Sequence, residues 1–263
     1  EQETFYDAVI IHLYSNTGMK HNVKRKDLLP FSEAYANAIG YAERHLNTAL
    51  NLLERSFPGK EIWVTEYGMG GFSNSALRQY RLRHSHLGCL HSDLMLLRFL
   101  TRPSVTMTHW HSFTQSIRFD PLRPGIIDTP TPQFRHLSLF GEAVRNSQQV
   151  IPIEVGPDGQ HLEAAAFVGD HTCYVMILNK RGESRMVDGL AVAGTTLRPT
   201  QVTQLSPKGQ LAAALEDETA LQQTQIQPTD TGTVLLPGYS ITRLAYQWPA
   251  ATASPHRKAG NEP

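Results

Sequence analysis

The chain has 263 residues, 24 lysines and arginines against 24 aspartates and glutamates, and 40% apolar content. That is enough for one large domain or two ordinary ones, with the composition of a globular protein. A formal charge of zero offers no basic footprint for nucleic acid or an anionic membrane, and no apolar run nears the roughly 20 residues of a membrane span.

The two cysteines, Cys89 and Cys173, fall far apart in different predicted elements, so free thiols are expected and no metal site can rest on them. The N-terminal stretch EQETFYDAVIIHLY runs into a strand with no basic n-region, and no signal peptide is visible. A mature form with its signal removed would look the same, so the compartment, cytoplasmic or secreted, stays open.

Residues 5–14 read as a first strand, with Ala8, Val9, Ile10 and Ile11 as its apolar run and His12, Tyr14 and Ser15 at its C-terminal end. After a loop with a basic cluster at 20–26, residues 31–57 read as a long helix. Tyr35, Ile39, Ala42, Leu46, Ala49, Leu50 and Leu53 recur there at helical spacing, and Phe57, Pro58 and Gly59 close it. Residues 60–71, KEIWVTEYGMGG, hold the short run Ile62-Trp63-Val64, whose length and β-branching suit a buried parallel strand. The run ends on Glu66, a carboxylate at a strand terminus followed by glycines that let a ligand approach the backbone. A second helical region is expected over 75–100, carried by Leu87, Leu90, Leu94, Leu97 and Leu100. A third strand, SVTMTHWHSF over 104–113, ends in His109, Trp110 and His111, and a proline-rich loop leads to a helix over 134–144.

Three strand–helix units in succession predict an α/β half with a parallel sheet covered by helices. From about residue 147 the pattern changes to short strand-like runs at 150–155, 162–168, 173–179, 186–192, 201–205, 225–228, 233–236 and 240–246. Turn signals such as Pro157-Asp158-Gly159 and Pro237-Gly238 separate them, which predicts an antiparallel β-sandwich. The expected division is an α/β part over 1–146, a sandwich over 147–249 and a polar, disordered tail over 250–263.

These stretches together resemble the retaining glycoside hydrolases built on a (β/α)8 TIM barrel with an appended β-sandwich. The likeness is greatest to the α-L-arabinofuranosidase type, glycoside hydrolase family 51, and its relatives among xylosidases and agarases. VIIHLYS matches the sixth barrel strand, IWVTEYG the seventh and MTHWHSF the eighth. IDTPTP leading into FRHLSLFGEAV is similar to the last barrel helix, and LLPGYSITRLAY to the end of the sandwich. The resemblance implies a retaining glycosidase acting on terminal or backbone linkages of plant or algal polysaccharides, with no cofactor and with Glu66 in the nucleophile position. The acid/base of that family is a Glu preceded by Asn at the end of the fourth strand. Here Asn-Glu occurs only as Asn261-Glu262 in the tail, so strands one to five and the acid/base are absent, and a second polypeptide or a missing N-terminal segment is expected to supply them. An oligomer of this chain alone would still lack the acid/base.

Retaining hydrolysis needs two carboxyl groups roughly 5–5.5 Å apart. Tyr14 or His12, at the end of the preceding strand, could hold the Glu66 carboxylate ionised. Tyr67 beside it is a further supporting candidate, Trp110 offers a stacking face for a sugar, and His109 and His111 could bind hydroxyls. No histidine pair has the spacing of a metal site, and none is expected. The competing reading is a non-catalytic carbohydrate-binding or structural subunit that lacks the acid/base.

Overall fold

The structure is a computed structural model that describes residues 6–19, 29–70, 77–110, 117–119, 127–156, 160–188, 191–192, 195–211, 214, 220–228 and 232–247. The chain begins with strand β1 (Ala8–Asn16), helix α1 (Phe31–Ser56) and strand β2 (Glu61–Gly70). Helices α2 (Leu77–His84) and α3 (His86–Leu100) follow, then β3 (Val105–Trp110), the short strands β4 (Ile117–Phe119) and β5 (Ile127–Pro130), and helix α4 (Pro132–Arg145).

β1, β2 and β3 form a parallel sheet in that order, with β2 in the middle. The expected parallel sheet with helices is therefore present. α1 buries Phe31, Tyr35, Ile39, Ala42, Leu46 and Leu50 along one stripe, the i, i+3, i+4 spacing that its sequence announces. α3 is different, being buried around almost its whole circumference. It lies between the parallel sheet and the sheet that follows, so one continuous core joins Ile62, Val64 and Tyr67 of β2 to Leu87, Leu90, Leu94 and Phe99 of α3 and on to residues beyond α4.

The rest of the chain is all β: β6 (Gln149–Ile153), β7 (Leu162–Val168), β8 (Thr172–Asn179), β9 (Arg185–Val187), β10 (Ala191–Val192), β11 (Thr195–Thr196), β12 (Gln201–Pro207), β13 (Leu221–Ile226), β14 (Val234–Leu236) and β15 (Ser240–Gln247). Six of them form an antiparallel sheet in the order β13-β12-β15-β8-β7-β6. One face puts Phe167, Met176, Leu178 and Ile241 into the core shared with the helices. The other packs Val175, Ile177 and Leu244 with Val234 and Leu236 of the β14–β9 ribbon.

Several local expectations are corrected. The helix expected over 75–100 breaks at Ser85, whose hydroxyl caps α3 by accepting from the Gly88 amide, and caps compete with helix continuation. The stretch read as a proline-rich loop holds the antiparallel β4–β5 pair. The strand expected over 225–228 lies earlier, as β13, because LQQTQI has no apolar alternation to mark it. The strand expected over 186–192 is two short ones, β9 and β10. The tail expected at 250–263 and His111 lie outside the described residues.

Candidate active site

A one-residue irregularity sets up the site. β1 and β2 pair Ile11 with Val64 and then His12 with Glu66, so Thr65 has no partner in the register. A bulge of this kind reverses the alternation of the strand that carries it. Ahead of it Ile62 and Val64 are buried against the helices; after it Tyr67 and Met69 are. Glu66 is thereby turned to the opposite face, where β1 presents its even-numbered side chains Ile10, His12 and Tyr14. Without the bulge the carboxylate would point into the helix layer, at a desolvation cost of several kcal/mol.

On that face the Tyr14 phenol donates to Glu66 Oε2 at 2.6 Å, and His12 Nδ1 lies 3.5 Å from the same oxygen. His12 is 52% exposed and Glu66 30%, so both are within reach of a ligand. Burial, then the hydrogen bond to Glu66 and its charge, push the Tyr14 phenol up to about 12, so it holds its proton and donates throughout the neutral range. The close pairing of the strands depends on small residues. A Cβ on Gly70 would stand 3.1 Å from the Tyr14 Cβ, and Gly68, at a φ of 149°, is in a region that favours glycine.

The other sequence candidates separate. Tyr67 is 2% exposed, with its ring edge-on to Phe99 at 5.2 Å. It backs the strand from the helix side and has no surface for a ligand, because the same bulge that frees Glu66 turns it inward. Trp110 pairs with Tyr67 across β2–β3, its ring 6.2 Å away, and is half-buried against the helix core. His109 is exposed on β3. Cys89 and Cys173 are free, buried thiols. At the other end of β2, Glu61 accepts from the Trp63 indole at 2.8 Å and the Thr106 hydroxyl at 2.7 Å, bonds that hold its carboxyl below the usual value. It stands five residues from Glu66, about 16 Å along a strand.

Two features escaped the sequence. Arg83 of α2 places its guanidinium carbon 5.8 Å from the Tyr14 ring centre, a cation over the aromatic face. Deeper, a chain of buried polar groups ties α3 to α4 and to the loop before β15. His86 Nε2 lies 2.6 Å from the Tyr239 carbonyl, His86 Nδ1 lies 3.0 Å from His136 Nε2, and His136 Nδ1 lies 2.5 Å from Asp93 Oδ2. A carbonyl only accepts, so His86 donates from Nε2 and, while neutral, accepts at Nδ1 from His136. One proton is then shared between His136 and Asp93. The periodicity of α3 carried no sign of this, since such residues read equally well as solvent-facing. Among the described residues no three His, Cys, Asp or Glu side chains converge as metal ligands do.

No protein-family model matches the chain, and no curated protein matches it. Solved structures do match in fold. A family 86 glycoside hydrolase, BuGH86, crystallised as a variant in complex with neoagarooctaose, superposes with a TM-score of 0.61 at 15% identity, over 93% of this chain and 38% of its own. The family 51 α-L-arabinofuranosidase from Thermotoga petrophila gives 0.60 at 14%, over 91% and 52%. CelM2, a bifunctional glucanase-xylanase from a metagenome library, gives 0.55 at 16%, over 92% and 43%. The chain thus has a glycoside hydrolase-like fold and spans between about two fifths and half the length of the structures it matches.

Proposed function

We propose that this chain supplies the nucleophile half of a retaining glycoside hydrolase site, with residues 1–146 as strands six to eight of a (β/α)8 barrel and 147–249 as a β-sandwich domain. The observation that carries the reading is Glu66 itself, turned by the Thr65 bulge onto the face shared with Tyr14 and hydrogen-bonded there by the phenol. Fold likeness to glycosidases of several specificities supports it.

In the proposed reaction the Glu66 carboxylate attacks the anomeric carbon as the leaving-group oxygen departs with a proton from a second carboxyl group. Water, deprotonated by that group, then releases the sugar from Glu66. Tyr14, donating to Oε2, keeps the carboxylate oriented and ionised in the first step. Glu61 is too far away to be the second carboxyl, which in this reading comes from barrel strands one to five on another polypeptide or segment. Exposed His109 is suited to sugar hydroxyls, and Trp110 to apolar contact beside them. The substrate class is an oligo- or polysaccharide of the plant or algal kind, α-L-arabinofuranosides first.

Protein purified from its natural source, assayed on aryl α-L-arabinofuranoside, β-D-xyloside, β-D-glucoside and β-D-galactoside, tests the proposal. A 2-deoxy-2-fluoroglycosyl fluoride should label the peptide bearing Glu66, and Glu66→Gln should lose turnover by several orders of magnitude. Wild-type turnover in that variant overturns the assignment. Sugar binding with no hydrolysis of any of these by the wild type would favour the non-catalytic carbohydrate-binding subunit.

A further inference from the structure

We propose that β13 is a self-association edge: two copies of this chain pair β13 against β13, antiparallel about a two-fold axis at Thr224, and so join their six-stranded sheets. The proposal stands apart from the reading of Glu66 as nucleophile.

β13 is the terminal strand of its sheet, and among the described residues nothing pairs with its outer edge. Its inner edge is held along the whole strand by β12, from Val202 opposite Ile226 to Pro207 opposite Leu221. Residues 202–206 of β12 are buried, and the Gln222 amide donates to the Ser206 hydroxyl at 3.2 Å. The outer row of N–H and C=O groups is therefore presented by a strand already extended and fixed, and pairing needs little further ordering.

Side chains decide what can sit there. Leu221 is buried, but Gln222, Gln223, Thr224, Gln225 and Ile226 are all exposed. Successive residues of a strand alternate, so both faces of β13 are open over that run. LQQTQI carries no charge and no proline. β6, at the opposite edge of the same sheet, carries Pro152 and runs into the exposed Glu154, two of the devices by which sheets deny an edge to another strand. With both faces open, β13 has no walls to select the side chains of a foreign peptide, on which the specificity of strand addition rests. A second copy needs no such selection, because it brings the same uncharged edge.

Symmetry fixes the register. A two-fold axis perpendicular to the sheet keeps each face on its own side, so side chains of the same face meet across the pair. Centred on Thr224, the middle of the exposed run, it sets Thr224 opposite Thr224, Gln223 opposite Gln225 and Gln222 opposite Ile226. No like charges face each other, the hydroxyls and amides hydrogen-bond across the pair, and Ile226, 37% exposed, gains the aliphatic stem of Gln222 as cover. An edge this short makes a small interface, so the dimer is weak and depends on concentration.

The test is register-specific cross-linking of the full chain. In the proposed pair the two Thr224 Cα atoms stand about 4.5–5.5 Å apart, a separation that a disulfide spans. The two Gln222 Cα atoms are offset along the strands and lie about 14 Å apart. Thr224→Cys oxidised with copper–phenanthroline should give a covalent dimer and Gln222→Cys should not, with the wild type, whose Cys89 and Cys173 are buried, as control. In sedimentation over rising concentration, Thr224→Lys sets two ammonium groups face to face and should weaken association about tenfold, with its melting temperature unchanged. If that variant is destabilised, Thr224→Glu takes its place. Equal cross-linking at both positions, none at 224, or association that the charged variant leaves unchanged overturns the proposal.

Discussion

Burial of histidines makes this fold less stable in acid. His86 and His91 on α3 are 3% and 0% exposed, and burial pushes both imidazoles down to about 3, with His136 adding to the effect on His86. Unfolding returns them to about 6.5. Because the folded values are depressed, the native state keeps both rings neutral while the unfolded chain takes up protons. Stability is full above about pH 6.5 and is lost as the pH falls towards 3. At pH 5 each ring has cost about 2 kcal/mol relative to neutral pH, at 1.36 kcal/mol per unit, so the pair costs about 4. Asp93, whose carboxyl burial pushes up, acts in the opposite sense: its native form keeps a proton to higher pH, so it gains stability towards acid. His84, which burial pushes down to about 4, adds to the loss in acid, and Asp93 opposes it. His91→Leu isolates one ring, since neither nitrogen has a hydrogen-bond partner among the described residues. Leucine removes no bond there and takes away a buried polar group worth about 1 kcal/mol or more of penalty. Urea unfolding followed by tryptophan fluorescence at pH 7 and pH 5 should show the variant at least as stable at pH 7. Its loss between the two pH values should be smaller than wild type by about 2 kcal/mol. An identical loss in both proteins refutes the reasoning.

Two further substitutions probe how the halves are joined and how the site is aimed. Glu163 of β7 binds Arg98 of α3 through both oxygens at 2.9 Å and also lies 3.5 Å from Lys180, which is 2% exposed. Glu163→Gln should destabilise by about 3 kcal/mol, because a buried cation loses a partner, and thermal melting should fall by roughly 6–12 °C; a shift under about 2 °C would argue that Glu43, 2.7 Å from Lys180, suffices. Deleting Thr65 should restore strict alternation in β2 and turn Glu66 towards the helices, losing turnover and several kcal/mol of stability together. Glu66→Gln should lose turnover alone, and a deletion that melts like wild type would show that the bulge does not aim the carboxylate.

How much was legible follows from which signals are local. The α1 stripe and the Ile62–Val64 run are local patterns. Tyr14, His12 and Glu66 come together because they face one another across adjacent parallel strands. β1 and β2, however, run on to Asn16 and Gly70, so Glu66 lies within its strand and not at the terminus that the sequence suggests. The orientation of Tyr67 was not legible, because an alternation count assumes a regular strand and Thr65 breaks it without a Gly or Pro to announce it. Arg83 was hidden for another reason: α2 is short and polar, and a basic residue in its last turn reads as a solvated helix end. His86 and His136 lie fifty residues apart, and nothing in either segment indicates that they meet.

The same face of the parallel sheet carries a structural need as well as a chemical one. Ile10, near the start of β1 and on the face of His12 and Tyr14, is 61% exposed. β1 and β3 are the outer strands of their sheet, and among the described residues nothing pairs with their far edges. Open parallel edges beside a bare apolar side chain favour association, and natural sheets cover them. The chemical need is the second carboxyl, which Glu61 cannot supply from the other end of β2. On the proposed reading both are met by one event. Strands that pair with β1 and β3 close the sheet over Ile10, and their C-terminal ends arrive at the level of Glu66, where an acid/base must stand. Covering the face without bringing a carboxyl would leave a well-folded protein that binds sugar and does not cut it.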